Sequence, residues 1–237
     1  MKDLNLYLET VDELRSIEKV HPSVSKKYVP IYTSDIVEIL HPEFRYVHGV
    51  QFVKGLTRHY VDLMNKEGDT IRIYNSYDRT LALRVNYITA DAGVSIDLGI
   101  DRLVHIGSKA KDFTDDLSDA KEAIINGVKN AKFIMHKLTN TLVTENMAKE
   151  ISDIIFVKEL NKNVQEYTNY VDILLEKNID LKKYIDMSIH NYIEGEYTFV
   201  KDGVKHNGRK IRSVLRKVRL ENKIMKYIKE NFPEYFL

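Results

Sequence analysis

Residues 57–90 read TRHYVDLMN, KEGD, TIRIYNS, YDR and TLALRVNYITA, and this stretch decides the fold. Its three longer runs alternate between apolar and polar side chains, and short turn-rich segments separate them. Alternation with a period of two is typical of β-strands that bury one face. The apolar side chains occupy odd positions and are predicted to form the core: Val61, Leu63, Ile71, Ile73, Leu81, Leu83, Val85 and Tyr87.

The segments between the runs favour an antiparallel meander. Lys66–Asp69 contains Gly68, which tolerates the positive φ that hairpin loops require. In the next connection Asp78 is a residue type that bonds its own backbone in tight turns. Further strands are predicted at Phe44–Val53, Val94–Leu98 and Arg102–Gly107, so residues 28–108 are expected to be mainly β-sheet.

After Asp112 the apolar spacing changes to steps of three and four residues, which is typical of amphipathic helices. A short helix is also expected near the start, at Asn5–Lys19. We predict one α+β domain over residues 1–237, in which a helical C-terminal half packs on an antiparallel sheet. Residues 112–231 are expected to be mainly helical, with helices from about residue 116 to Leu138 and at Glu145–Phe156, Gln165–Lys177, Leu181–Ile193 and Arg209–Asn231, and a polar loop at Phe199–Gly208.

Composition narrows the class of protein. The chain is 43% hydrophobic and has no cysteine, which excludes disulfides and thiolate metal sites. It contains no apolar run of about 18 residues, so no membrane partner is expected. Met1–Leu8 lacks the layout of a signal peptide, and we therefore expect a cytoplasmic protein. No GxGxxG, P-loop or GxSxG motif is present, so we predict no cofactor and favour a non-enzymatic role.

A near-zero net charge of +1 hides a strong asymmetry. Residues 201–229 carry eleven lysines and arginines but only two acids, Asp202 and Glu221. The preceding 200 residues are net acidic. A basic end on an acidic body indicates either a polyanionic partner or a partner within the same chain.

The polar, even-numbered face of the sheet is the first candidate site. Basic side chains hold phosphates and aromatic rings stack on bases, so a mixture of both suits single-stranded nucleic acid. The alternative is cross-strand pairing on a solvated or helix-covered face, with Asp62 as the partner of an arginine. The candidate residues are Arg58, Tyr60, Arg72, Tyr74 and Arg84.

The basic last helix is the second candidate site. Its apolar residues indicate that one side is buried, which leaves the lysines and arginines on the other side to contact phosphates. The alternative is a solvated face docked against the acidic body. The candidate residues are Arg209, Lys210, Arg212, Arg216, Lys217 and Arg219.

A third hypothesis is a metal-dependent nuclease that uses Asp112, Asp115 and Asp116. Their position at the start of a helix offers a simpler explanation, because the helix dipole favours acidic residues there. His59 falls on the apolar face and is predicted to be a hydrogen-bonded core residue. The sequence therefore favours no metal site.

Six short motifs follow one another along the chain: KYVPIYT (27–33), YNSYDRT (74–80), ITADAGV (88–94), RLVH (102–105), NGR (207–209) and SVLRKVRLENK (213–223). Together and in this order they resemble the phage and plasmid proteins grouped as domain of unknown function 932. The resemblance implies a mobile-element origin and a DNA-maintenance context, near single-strand-binding and recombination proteins. A sheet followed by helices also resembles annealing proteins of the RecT and Erf type.

These features together predict a phage- or plasmid-encoded protein that binds nucleic acid. The expected partner is single-stranded DNA, which the protein would bind or anneal in replication or recombination, as a possible homo-oligomer. The alternative is a non-catalytic phage accessory protein that binds a host protein and blocks or redirects it. The balanced total charge and the lack of a catalytic motif support that alternative.

Overall fold

The computed structural model describes residues 6–20, 29–52, 57–77, 82–89, 93–98, 117–157, 164–211 and 213–236. An antiparallel sheet occupies the N-terminal half and helices dominate the C-terminal half, which confirms the predicted α+β class. The chain divides into two compact units, one formed by residues 1–88 and 96–131 and the other by residues 89–95 and 132–237. That residues 1–237 form one domain stays a prediction.

Among the described residues, six strands form a sheet in which every strand neighbours the next one along the chain. This order is the predicted meander, and each of the first five strands pairs antiparallel with its neighbour. The short hairpin between the third and fourth strands turns at Gly68, whose φ is +88°. The strands are β1 (Leu6–Leu8), β2 (Phe44–Gln51), β3 (His59–Asn65), β4 (Thr70–Asn75), β5 (Arg84–Ile88) and β6 (Ser95–Asp97).

The odd-numbered face of this sheet is core, as the alternation predicts. Val61 pairs with Ile73, and Ile73 pairs in turn with Val85, so branched side chains form a row across three strands. All three are fully buried. His59 is also fully buried and lies within 2.9 Å of the Thr33 hydroxyl, which confirms that it is a hydrogen-bonded core residue.

Two short helices belong to the first unit, α1 (Val11–Ile17) and α2 (Thr33–Leu40). The prediction of a single helix at Asn5–Lys19 is wrong at its start, because Leu6–Leu8 pairs with β2 as an edge strand. Thr10 then begins α1 with a capping box, in which its side chain accepts from the Glu13 amide. The capping box explains why the helix starts only after the strand.

A 23-residue helix, α3 (Leu117–Thr139), carries the predicted amphipathic stripe. Its three- and four-residue spacing places apolar side chains on one side, and these are buried. Gly127 allows close packing, since a Cβ there would lie 2.5 Å from the Leu98 carbonyl oxygen. The buried stripe includes Ala120, Ile124, Val128, Ala131, Met135 and Leu138.

The second unit combines helices with a small antiparallel sheet in the order β7–β8–β9. The helices are α4 (Glu145–Ser152), α5 (Leu181–Glu194) and α6 (Val214–Asn231), with a π-helical turn at Asp153–Val157 and a 3-10 helix at Tyr170–Lys177. The Thr144 side chain accepts from the Met147 amide and caps α4. The strands are β7 (Val164–Asn169), β8 (Tyr197–Lys201) and β9 (Val204–Asn207).

Two predictions about this unit are wrong, and a third is wrong in part. The predicted helix at Arg209–Asn231 begins only at Val214, since the Ile211 amide donates to the Ile193 carbonyl and not to a carbonyl of its own helix. The expected helix at Gln165–Lys177 is a strand followed by a 3-10 helix, because β7 pairs with β8 along most of its length. The expected loop at Phe199–Gly208 contains a hairpin that joins β8 to β9. Asp202 and Gly203 form its turn, with φ values of 52° and 74°. Positive φ at both central residues is the geometry that matches the twist of paired strands.

Some predictions fall on residues that the structure does not describe. These are the core residue Leu81, the strand Arg102–Gly107, the acids Asp112, Asp115 and Asp116, and the basic residue Arg212. Within the described ranges, no helix has the length and apolar character that crossing a membrane requires.

Candidate nucleic-acid interface

The pairing of β3, β4 and β5 brings the predicted sheet residues onto one face. Tyr60 lies opposite Tyr74, and Tyr74 lies opposite Arg84, so these three form a row across the sheet. Arg72 occupies the next row, opposite Asp62. The predicted clustering of arginines and tyrosines is therefore present.

This face is buried. Tyr74 is 0% exposed, Arg72 is 4% exposed and Arg84 is 8% exposed. Tyr60 is also buried, and Arg58 is half-buried. Because it is buried, the face offers little contact area to a nucleic acid. This favours the alternative that these side chains pair across strands. A ligand role for Arg58, Tyr60, Arg72, Tyr74 and Arg84 stays a prediction.

Arg72 is held by neighbouring side chains of this face. Its Nε and Nη2 each donate to one Asp62 carboxylate oxygen at 2.7 Å, and its guanidinium carbon lies 4.0 Å from the centroid of the Tyr60 ring. Burial alone lowers the pKa of Arg72, but the hydrogen bonds and charge of Asp62 outweigh burial and raise that pKa above its ordinary value. Arg72 therefore stays charged and serves as the internal partner of Asp62.

The basic candidates near the C-terminus have different surroundings. Arg209 and Arg219 are exposed, whereas Arg216 and Lys217 are half-buried. The Lys210 ammonium lies 2.6 Å from a Glu194 carboxylate oxygen. The hydrogen bond from Lys210 lowers the pKa of Glu194, so this carboxylate remains ionised and neutralises the lysine. Arg212 lies outside the described residues.

Arg209 and Arg216 line a cavity of about 480 Å³ in the second unit. The β8–β9 hairpin forms its aromatic wall, and the segment from Gly208 to the first turns of α6 supplies the basic side chains. The structure thus brings together two of the six predicted basic residues. The lining consists of Tyr197, Phe199, His206, Asn207, Gly208, Arg209, Ile211 and Arg216.

The aromatic wall follows from the register of the hairpin. Phe199 and His206 are cross-strand partners, and their rings are stacked with centroids 5.2 Å apart and an interplanar angle of 23°. Tyr197 lies two residues before Phe199 on the same face of β8, with ring centroids 6.1 Å apart. Tyr197 is buried, Phe199 is half-buried and His206 is exposed. The wall therefore runs from the core of the unit to solvent.

Two buried aromatic rings pack against Tyr197 and so support the aromatic wall. The Tyr192 ring stacks on Tyr197 with centroids 5.3 Å apart, and the Phe156 ring lies 5.1 Å from Tyr197. Tyr192 and Phe156 are both 0% exposed. Aromatic pairs at such distances contribute to stability beyond their buried area. The wall is consequently a firm surface against which a planar ligand can stack.

Two glycines let the basic segment pass close to the end of α5. A Cβ at Gly195 would lie 2.8 Å from the Arg209 carbonyl carbon, and a Cβ at Gly208 would lie 2.5 Å from both the Gly195 carbonyl oxygen and the Tyr197 ring. The Gly208 amide donates to the Tyr197 carbonyl at 2.8 Å. The Ile211 amide donates to the Ile193 carbonyl at 2.7 Å. These contacts hold the backbone on both sides of Arg209.

Arg216 is positioned by an aromatic side chain. Its Nη2 donates to the Tyr192 hydroxyl at 2.7 Å, and its guanidinium lies 5.7 Å from the Tyr192 ring centroid. Burial raises the pKa of Tyr197, against the opposing effect of the Arg216 charge. Tyr197 therefore remains neutral near neutral pH, and the charges that the named side chains bring to the cavity are positive.

Sequence reasoning missed the aromatic half of this cavity. Tyr197, Phe199, His206 and Asn207 lie in or beside the segment that was expected to be a loop. A signal for the hairpin was present, because Asp-Gly between two short runs is a strong hairpin indicator. That dipeptide at 202–203 would have placed Phe199 near His206.

No protein-family model, curated protein or solved structure matches this chain. Its membership of the domain of unknown function 932 therefore stays a prediction. Within the described part of the chain, no group of three or more histidine, aspartate or glutamate side chains is arranged to hold a metal ion.

Proposed function

We propose that this protein binds single-stranded nucleic acid, with single-stranded DNA as the principal ligand, through the cavity of the second unit. One observation carries the proposal. The Phe199–His206 ring stack and the arginines Arg209 and Arg216 line the same concavity. Aromatic rings that stack on bases, placed beside cations that bind phosphates, are the combination that proteins use to bind single strands.

The aromatic wall favours a single strand over a duplex. Bases in a duplex are stacked on one another, so their faces are closed to protein side chains. In a single strand the faces can be exposed, and stacking on aromatic residues is largely independent of sequence. We therefore expect a preference for unpaired strands and little discrimination between sequences.

The proposed cellular role is DNA maintenance. The resemblance to phage and plasmid proteins supports a role in replication or recombination in the cytoplasm of a bacterial host. Annealing of two strands would require more than one copy of the protein on the DNA. A homo-oligomer is therefore part of the annealing form of the proposal.

Fluorescence anisotropy tests this function with a labelled single strand of about 15 nucleotides, near the upper site size of one small binding domain. We expect saturable binding at low salt. Unlabelled single strand should displace the probe at a lower concentration than a duplex of the same sequence. Absence of binding at low salt contradicts the proposal, and equal displacement by the duplex contradicts the single-strand preference.

A further inference from the structure

The cavity is large enough to hold more than a phosphate group. Its volume of about 480 Å³ lies in the range of about 300–1,000 Å³ that is common for pockets that enclose a small molecule. Two arginines can bind a phosphate on an open surface, so phosphate binding alone does not require a cavity of this size. The size of the cavity and its aromatic wall together point to a ligand that has a planar, apolar part.

The polar side chains lie where they can contact the other parts of a nucleotide. The exposed guanidinium of Arg209 offers five donors in a planar fork that fits a phosphate. Asn207, which is also exposed, carries an amide with both donors and an acceptor, the pattern that pairs with base edges. The hydrogen bond to Tyr192 holds Arg216 in place, so this cation needs little reorganisation on binding.

We propose that the cavity is a subsite for one unstacked nucleotide of the bound strand. Its base stacks on the Phe199–His206 wall, and its phosphate contacts Arg209. This inference rests on the proposed function and adds that one base leaves the strand's own stack and enters the protein. The other nucleotides of the strand contribute phosphate charge, but their bases do not stack in the cavity.

A strand without bases separates the inference from the function on which it rests. The full-length protein is titrated with a single strand of about 15 nucleotides and with a strand of equal length made of abasic sites, which keeps every phosphate. Since stacking one base is worth about 1–3 kcal/mol, we expect the base-bearing strand to bind about 5- to 150-fold more tightly.

Variants of Phe199 test whether this difference in affinity between the two strands arises in the cavity. Phe199→Leu removes the aromatic face but keeps an apolar side chain, and it should abolish most of the preference for the base-bearing strand. Phe199→Tyr keeps the face and should preserve the preference. Phe133→Leu is the matched control, because Phe133 is an exposed aromatic residue of the same unit that does not line the cavity. Far-UV circular dichroism verifies that each variant is folded.

Each outcome has a distinct meaning. Equal affinity of the wild type for both strands overturns the nucleotide subsite and leaves single-strand binding intact. Binding of neither strand contradicts the proposed function itself. A preference that survives Phe199→Leu, or that falls equally in Phe133→Leu, also overturns the subsite. As a second readout, dAMP should displace the labelled strand at a lower concentration than inorganic phosphate does, and equal displacement speaks against a base-binding wall.

Discussion

At the scale of single residues, the buried pair Arg72 and Asp62 explains why the sheet tolerates charge in its interior. Both guanidinium contacts are 2.7 Å long, and each side chain is about 4% exposed. Removal of one charge leaves the other buried without its main partner, which is more costly than the loss of the pair as a whole. The pair is therefore expected to fix the register of β3 against β4.

We expect Arg72→Met to lower the free energy of unfolding by about 3–5 kcal/mol. Asp62 would remain buried without the two hydrogen bonds from Arg72, and its contact with His48 Nε2 is longer, at 3.5 Å. The double variant Asp62→Leu/Arg72→Met should recover most of this loss. Urea unfolding followed by circular dichroism measures both values. A single variant as stable as the wild type would show that Asp62 has adequate partners without Arg72.

Asn169 is a second residue with a structural role, at the end of β7. Its side-chain nitrogen lies 3.1 Å from the Ser152 hydroxyl and 3.0 Å from the Ser188 hydroxyl, and the residue is 3% exposed. The amide thus joins β7 to the end of α4 and to α5.

Asn169→Ala should cost about 1–3 kcal/mol, since it leaves buried hydroxyl groups with fewer partners. Thr168→Ala is the matched control on the same strand, because Thr168 is exposed. Thermal or urea unfolding should show a clear loss for Asn169→Ala and a small change for the control. Equal losses would show that the strand, and not the Asn169 amide, is the sensitive feature.

At the scale of elements, the β8–β9 hairpin and the segment after it build the candidate site. The hairpin supplies the rings, and the close approach of Gly208 to Gly195 brings Arg209 beside them. A side chain at Gly208 would have to displace either the Tyr197 ring or the backbone of Gly195. The geometry of the cavity therefore depends on this position.

Gly208→Ala should reduce stability by about 1–3 kcal/mol through overpacking, and it should weaken strand binding because the segment that carries Arg209 moves. Gly203→Ala is the control. Gly203 has a φ of 74° but nothing lies within 4 Å of the position of its Cβ, so only the backbone cost of about 1 kcal/mol applies. Affinity measured at a temperature where both variants are folded should fall for Gly208→Ala alone. A similar fall in both variants would argue against the role of the close contact.

The same elements show what sequence reasoning can and cannot predict. Alternation at 57–90 predicted the central strands and their core face, since each strand buries branched side chains on alternate positions. Hydrophobic spacing likewise predicted α3 and α5. The strand β7 was missed because its neighbour β8 lies about 30 residues away, and a short segment of mixed composition carries no local sign of that pairing.

The two candidate sites also differ in how far the sequence predicts them. Periodicity placed Tyr60, Tyr74 and Arg84 correctly on one face, but it does not reveal that this face is buried as well. The four residues of β9 are all exposed and show no apolar alternation, so the Asp-Gly dipeptide before them was the local sign of the strand. The cavity arises only from the pairing of that strand, which is why its aromatic wall was not predicted.

At the scale of the whole molecule, the basic C-terminal region should dominate attraction to a polyanion. Each phosphate that the protein neutralises contributes about −0.7 to the slope of log K against log salt concentration for a single strand. Two arginines in the cavity imply a slope of about −1.4 or steeper. Arg45 is an exposed arginine of β2 that lies outside both the cavity and the basic C-terminal region, which makes it a matched control for Arg209.

The salt dependence of single-strand binding by wild type, Arg209→Ala and Arg45→Ala tests the central claim most directly. Anisotropy titrations at several salt concentrations measure the affinity and its slope for each protein. We expect Arg209→Ala to bind more weakly and with a slope shallower by about 0.7, while Arg45→Ala retains the slope of the wild type. Equal slopes for the wild type and Arg209→Ala, or the same loss in both variants, would contradict binding through the cavity.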